Sequence, residues 1–501
     1  MRSLALAFIC ALPHVNSAWS REKQGHSALR LNQSSDGERS QSGNPLTFRL
    51  IGEETRNSYG AACLDGSPAG YYFAEAQKGF EDHWVIQFPG GVPCSTVEEC
   101  LIRTRLPLVS RLEEGVINLG SSLGFQLNPG DLPIPGFYET IDIKGVLDKS
   151  PVDNPMFSKY NRVYVNFCDG FSFAGNRETP LDVPPQLVDA ISAAFPAAAT
   201  GNPFPFPSQL FFRGMANAKA TLKDLQNLHG LGKARKVLVA GCSGGGIAAE
   251  LHGDNLVRSF VENPKLEVYK KFTCSALFSL GSADLRATQS RNGEEFFPYG
   301  ATIRASIGLH EANNFTNGCT EAGFSTEECF DMPRSISSTK TPTFVEQNIF
   351  DSVLMAAYAG GFNDFSSRQL TGYAPTLPPF DVDLSRFFGE VASGEEPTPQ
   401  GGFCILPTSL FVPPGSSAPL PPQFFACQKS QIKILNLDFR KQVLSLLRDT
   451  IQAKLRQPGF GRFITTCALH AESETRNAGY NTVAVPGQKR RSTTLRVALE
   501  R

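Results

Sequence analysis

From about Thr47 onward, short apolar runs alternate with stretches of helical character. Trp84 to Phe88 is one such run. It ends at Pro89-Gly90-Gly91 and predicts a strand entering a glycine turn. Arg162 to Phe167 alternates apolar and polar positions before Cys168-Asp169-Gly170. Lys236 to Ala240 reads as a buried strand, and Thr343 to Val345 as a shorter one. Ala216 to His229 and Ile247 to Leu256 read as helices, the second following the glycine-rich turn Gly241–Gly246. Strands alternating with helices predict an α/β fold with a mainly parallel central sheet flanked by helices.

Other segments break this rhythm. Arg2, the apolar run Leu4 to Leu12, and the small residues Ser17 and Ala18 predict a secretory signal peptide over 1–18. Residues 19–45 are polar and rich in Ser, Gln, Gly and Arg, the composition of a disordered leader. Residues 384–430 carry eight prolines, among them Pro397, Pro407, Pro413 and Pro421. That density excludes regular helix or central strand and predicts a Pro-rich surface insertion, a candidate lid. Phe195 to Pro207 is a second irregular stretch. The α/β domain is expected to span 46–483, followed by a tail over 484–501 with the basic run Lys489-Arg490-Arg491. No apolar stretch beyond the leader is long enough for an integral membrane segment, which needs about 20 residues.

Composition narrows the function classes. The 501 residues are 41% hydrophobic and 19% charged, with a net charge of −1. No strong field is present to hold nucleic acid or an anionic membrane. Twelve cysteines suit an oxidising, extracellular compartment. Cys10 leaves with the signal peptide, so eleven remain and at least one lacks an intramolecular partner. Close spacing makes Cys94–Cys100, Cys319–Cys329 and Cys404–Cys427 candidate pairs. No C-x-x-C pair suggests a zinc site, and no metal or other cofactor is expected. Asn32 and Asn314 stand in N-x-S/T acceptor sequences, which agree with secretion.

The strongest chemical signal is Gly241-Cys242-Ser243-Gly244-Gly245. It matches G-x-S-x-G between an apolar strand and a helix, the setting a nucleophile elbow requires. A serine hydroxyl needs a base, usually a histidine held by a carboxylate, and in this fold class they follow in the order Ser, acid, His. Of seven histidines only His252, His310 and His470 follow Ser243. His252 lies on the helix leaving the elbow, and His310 leaves little chain for an intervening acid. His470 follows the apolar Phe463-Ile464 and is the candidate base. Several acids lie between, including Asp284, Asp331, Asp351, Asp364, Asp381 and Asp383. Spacing favours Asp351 modestly, since it follows the Thr343–Val345 strand. The N–H groups of Gly91, Val92 and Gly244 are candidate oxyanion donors. A catalytically silent, glycan-binding chain on the same scaffold is the reading from another class.

These segments, taken in order over residues 60–475, resemble the pectin acetylesterase family, which also includes the Notum carboxylesterases. The pieces are Phe88 to Cys94 with Cys100; Asn154-Pro155 with Asn161 to Val163 and Cys168-Asp169-Gly170; and Phe212-Arg213-Gly214 with Asp224. Gly241 to Gly245 with Leu251-His252 and Asp254, Phe350-Asp351-Ser352, and Phe463 to His470 complete the series. The resemblance implies an α/β-hydrolase-like fold and a metal-free Ser243–His470–Asp351 mechanism. It implies an acetylated extracellular polysaccharide as partner, or, by its Notum branch, an acylated protein or lipid. The chain departs from the family pattern where Val92-Pro93 replaces a tryptophan and Gly244 an alanine. It departs again where Ala218 replaces an aromatic, and where Ala471-Glu472 stands in place of a cysteine.

Overall fold

In the computed structural model, the described residues are 43–91, 93–105, 108–112, 115–117, 120–123, 139–195, 204–280, 289–291, 294–296, 298–348, 351 and 460–465. The leader up to 42, the Pro-rich segment 384–430, the Cys404–Cys427 pair, Val92, His470 and the basic tail lie outside them.

Nine strands form one sheet. In chain order they are β1 (Leu46–Leu50), β2 (Gly70–Ala74), β3 (His83–Phe88), β4 (Thr140–Ile141), β5 (Asn161–Val165), β6 (Lys236–Cys242), β7 (Val268–Cys274), β8 (Thr343–Asn348) and β9 (Gly461–Thr465). Across the sheet they run β9-β8-β7-β6-β3-β5-β2-β1-β4. Every pair from β9 to β5 is parallel. The pairs from β5 through β2 and β1 to β4 are antiparallel. Central parallel strands are covered on both faces, so they read as continuous apolar runs rather than alternations. Every residue of β3 is accordingly buried.

The helices that matter for the site are α1 (Glu53–Tyr59), α2 (Val97–Arg103), α3 (Gly214–His229), α4 (Gly244–His252) and α5 (Pro298–His310). The expected helix to Leu256 ends its α-helical part at His252 and continues as a π-type turn over Gly253–Val257. Strand β7 was not expected, because Val268-Tyr-Lys-Lys-Phe-Thr-Cys274 carries two lysines in its middle. Lys271 is nonetheless fully buried. Its Nζ lies 2.7 Å from Glu250 on α4 and 3.2 Å from Asp254. Asp254 also accepts from Gly318 N, Lys340 N, Thr341 N and the Thr339 hydroxyl. One buried carboxylate thus fastens the end of α4 to the chain entering β8.

Four disulfides join described residues. Cys94–Cys100 and Cys319–Cys329 are the expected local pairs. Cys63–Cys168 and Cys242–Cys274 link segments far apart in sequence.

Candidate active site

In a parallel sheet, the loops leaving the strand C-termini converge on one edge. Here β3, β6 and β8 send to that edge Gly90-Gly91, Ser243 and Asp351, and β9 ends there at Thr465. Ser243 sits between β6 and α4 at φ 56° and ψ −130°. A non-glycine residue seldom adopts this conformation, and its cost is of order 1–3 kcal/mol. Neighbouring backbone holds the turn. Ser243 N donates to Cys274 O at 2.9 Å, and Gly246 N donates to Ser243 O at 2.9 Å. Ser243 is half-buried, whereas its neighbours on both sides are buried.

Two glycines make the turn possible by close approach. A Cβ at Gly241 would stand 2.0 Å from Gly245 O, and one at Gly245 would stand 2.1 Å from Phe88 O. The turn after β3 lies directly against the serine. A Cβ at Gly90 would fall 3.2 Å from Ser243 Cβ and 3.8 Å from Oγ. The N–H groups of Gly91 and Gly244 have no hydrogen-bond acceptor among the described residues. Gly244 N–H opens α4, at the helix end whose dipole favours negative charge.

Gly91 is positioned in turn by the loop after β5. Its Cα faces the Phe167 ring, 2.4 Å from where a Cβ would be. Phe167 stacks edge-on with Phe173 at 5.6 Å. The Cys168–Phe173 loop takes positive φ at Gly170, Ser172 and Phe173. Asp169 Oδ2 ties it down by accepting from Phe171 N and Phe173 N at 3.1 and 2.9 Å. Burial pushes the Asp169 carboxyl up to about 7, against the pull of those two N–H groups and of Arg103. Arg103 donates to Pro93 O at 2.8 Å, and Cys94 N donates to Gly170 O at 2.9 Å. Asp169 and Arg103 therefore set the backbone on both sides of the 90–94 turn. Sequence reasoning did not single them out as site residues, although Asp169 stands in the Cys168-Asp169-Gly170 motif.

Asp351 is fully buried three residues beyond β8. Its N–H bonds Asn348 O at 3.2 Å, and its Oδ2 accepts from Gln347 Nε2 at 3.4 Å. Strand β9 pairs with β8, Asn348 opposite Thr465, and His470 lies five residues further along the chain. The two histidines set aside from sequence are both buried. His252 holds Ser172 O at 3.3 Å, and burial lowers its pKa to about 4. His310 Nε2 donates to Cys94 O at 2.8 Å, and burial lowers its pKa to about 3. Among the described residues, one group of metal-ligand types clusters: Cys94, Cys100 and His310. Its two sulfurs are bonded to each other, so neither is a thiolate donor.

A mainly parallel sheet that carries a strained serine between strand and helix defines an α/β-hydrolase fold. Comparison with solved structures agrees: the Wnt deacylase Notum from Drosophila superposes with a TM-score of 0.53 at 18% identity, over 91% of this chain and 92% of that one. The Pectinacetylesterase family model matches residues 40–125 and 135–364, and the chain belongs to that family. The match takes in Gly91, Ser243 and Asp351, while His470 lies beyond it. Pectin acetylesterase 5 of Arabidopsis thaliana is 30% identical over 195 residues, 39% of this chain and 35% of that protein. Pectin acetylesterase 11 of the same plant is 26% identical over 309 residues, 62% of each. Palmitoleoyl-protein carboxylesterase NOTUM of Schmidtea mediterranea is 24% identical over 386 residues, 75% of this chain and 64% of that protein. The matches thus span from about a third to just under two thirds of these relatives' lengths.

Proposed function

We propose that the chain is a secreted serine esterase that removes acetyl groups from an extracellular polysaccharide. The observation that carries this is Ser243, held at φ 56° at the head of α4 with the Gly90-Gly91 backbone packed against it. In the proposed reaction, His470 takes the Ser243 proton as Oγ attacks the ester carbonyl. Asp351 orients His470 and stabilises the imidazolium. The amides of Gly91, Val92 and Gly244 hold the oxyanion, removal of one such donor typically costing about 10²–10³ in rate. His470 then protonates the departing sugar hydroxyl, and water attacks the acyl-enzyme with His470 again as base. Supporting the acetyl ester are the family and the names of its plant members. Four disulfides among the described residues favour an oxidising compartment.

A second reading is a deacylase for longer chains, favoured by the match to planarian NOTUM over 75% of this chain. Turnover of p-nitrophenyl acetate and of longer p-nitrophenyl esters by wild type and Ser243→Ala tests both. The acetyl reading expects the wild type to prefer acetate and the variant to lose at least about 10³-fold in kcat. Preference for longer chains would transfer the assignment to the second reading. Wild-type turnover no faster than that of the variant would overturn the esterase.

A further inference from the structure

The segment between α5 and the short helix Gly318–Glu321 carries chemistry that the proposed ester hydrolysis does not use. Helix α5 ends at His310, and Glu311 turns the chain out of it in the left-handed region, at φ 51°. Residues 311–317 then run without helix or strand until Asn317 caps the next helix. Buried and exposed positions are cleanly divided along this run. Ala312, Phe315 and Asn317 are 0%, 5% and 1% exposed, whereas Asn313, Asn314 and Thr316 are exposed. Phe315 pins the segment to the body of the protein. Its ring meets Phe330 edge-on at 5.8 Å and His252 edge-on at 6.4 Å. With that ring held inside, the residues on either side of it stand in solvent.

Asn314-Phe315-Thr316 is an N-x-S/T sequence whose middle residue is not proline. A glycan attached to such an asparagine is bulky and hydrated, and belongs on the surface. The folded chain has room for it only where the acceptor amide is exposed and not committed to a structural hydrogen bond. Asn314 meets both conditions. Neither its side-chain amide nor the Thr316 hydroxyl has a hydrogen-bond partner among the described residues. Asn317, three residues on, meets neither. It is buried, and its Oδ1 accepts from Cys319 N and Thr320 N, both at 3.0 Å. Two positions beyond it stands Cys319, which is bonded to Cys329, in place of a serine or threonine. Burial and hydrogen bonding thus separate two asparagines that lie on one short loop.

We propose that Asn314 is a modification site that carries an N-linked oligosaccharide, which Phe315 anchors at its base. The inference rests on the secreted reading and is independent of the ester that Ser243 cleaves. The donor is a polyprenyl-pyrophosphate-linked oligosaccharide of the secretory pathway. In the transfer, Nδ2 of Asn314 forms a bond to C1 of the first sugar. The bond from C1 to the pyrophosphate oxygen breaks, and the pyrophosphate leaves with the electron pair. One Nδ2 proton is released, and nothing is oxidised or reduced. Thr316 completes the sequence that the transferase recognises. The attached glycan displaces no contact between described residues.

The test is made on the full chain, produced in a eukaryotic secretory host with its own leader and, in parallel, behind a standard secretory leader. Exported protein is treated with peptide N-glycosidase in heavy-oxygen water and digested, and its peptides are weighed. The enzyme converts a glycosylated asparagine to a labelled aspartate, and a digest without it corrects for spontaneous deamidation. The expected result is glycosidase-dependent label at Asn314 and none at Asn317. Asn314→Gln and Thr316→Ala are expected to lose that glycan, and Thr316→Ser, which keeps the hydroxyl, to retain it. Exported wild-type protein without label at Asn314 would overturn the site, as would label at Asn317 in its place. A Thr316→Ala variant that keeps its glycan would overturn the role given to Thr316. Retention in the cell with its own leader, but export behind the standard one, would count against the secreted reading and leave the acceptor measured. No readout uses ester turnover, so failure of the esterase and failure of the glycan site are separate results.

Discussion

Replacing Gly244 with alanine, the residue that the family pattern pairs with a tryptophan where this chain has Val92-Pro93, adds one methyl group between the two proposed oxyanion donors of this chain. That Cβ would stand 2.2 Å from Gly91 O and 3.1 Å from Gly91 N. Carbon and oxygen do not tolerate 2.2 Å, so either the Gly90-Gly91 turn or the head of α4 must retreat by roughly 1 Å. Gly91 cannot retreat freely, because the Phe167 ring closes its other side. A misplacement of about 1 Å in a catalytic array costs on the order of 10²-fold, equivalent to about 2.7 kcal/mol in the barrier. The same substitution favours the helix by roughly 0.5–1 kcal/mol, which offsets part of the strain in the folded state. Gly244→Ala is therefore expected to lose about 100-fold in kcat on p-nitrophenyl acetate, with KM and melting temperature close to wild type. Gly232→Ala, whose Cβ meets nothing nearer than 3.6 Å, serves as the neutral control. Retention of kcat within about threefold would refute the claim that Gly91 and Gly244 jointly form the oxyanion site.

Lys271→Met leaves Glu250 and Asp254 buried beside each other without their cation, and is expected to cost about 3–5 kcal/mol in urea unfolding. An unchanged midpoint would show that the buried ion cluster does not hold α4 to the sheet. Removing the Cys63–Cys168 disulfide with paired serine substitutions releases a loop of 105 residues, worth about 4.7 kcal/mol by chain entropy, and is expected to lower the melting temperature sharply. Asp169→Asn alters acid stability in a defined direction. The folded-state pKa of Asp169 is raised to about 7 against an unfolded value near 4, so the folded state binds the extra proton between these limits. That uptake strengthens the folded state as pH falls from 7 towards 4, and the contribution is lost as pH rises through 7. His252 and His310 act oppositely, staying neutral while the unfolded chain takes up protons below about 6.5. The variant should therefore lose stability with acid more steeply than wild type, by about 1.4 kcal/mol per pH unit, in denaturant titrations between pH 5 and 6.5. Parallel slopes in the two proteins would count against it.

Several features of the fold were readable from local pattern, and their limits are physical. Strands β3 and β6 announce themselves because a parallel sheet buries both faces and leaves apolar runs, and β5 by the alternation of apolar and polar positions from Arg162. Strand β7 hides because Lys270 and Lys271 interrupt that run, and only Glu250 and Asp254, brought in by α4, make the buried Lys271 tolerable. Cys94–Cys100 and Cys319–Cys329 were legible because short loops limit the choice of partner. Cys63–Cys168 and Cys242–Cys274 depend on which segments and strands are neighbours. The block at Asn154, Asn161 and Arg162 reads in sequence as a family motif, and in the fold its side chains serve structure. Asn154 bonds Val146 O and Asp148 O, Asn161 bonds Glu81 O and His83 O, and Arg162 bonds Leu147 O.

The sequence by itself determined the turn around Ser243, since five consecutive residues suffice for it. The glycines at 241 and 245 permit the close approach, and the strand and helix on either side set its direction. Tertiary structure alone decided what faces that serine. The Gly90-Gly91 turn lies about 150 residues away in the chain. Contacts of that range follow from strand order across the sheet, and no local periodicity encodes which parallel strand lies beside which.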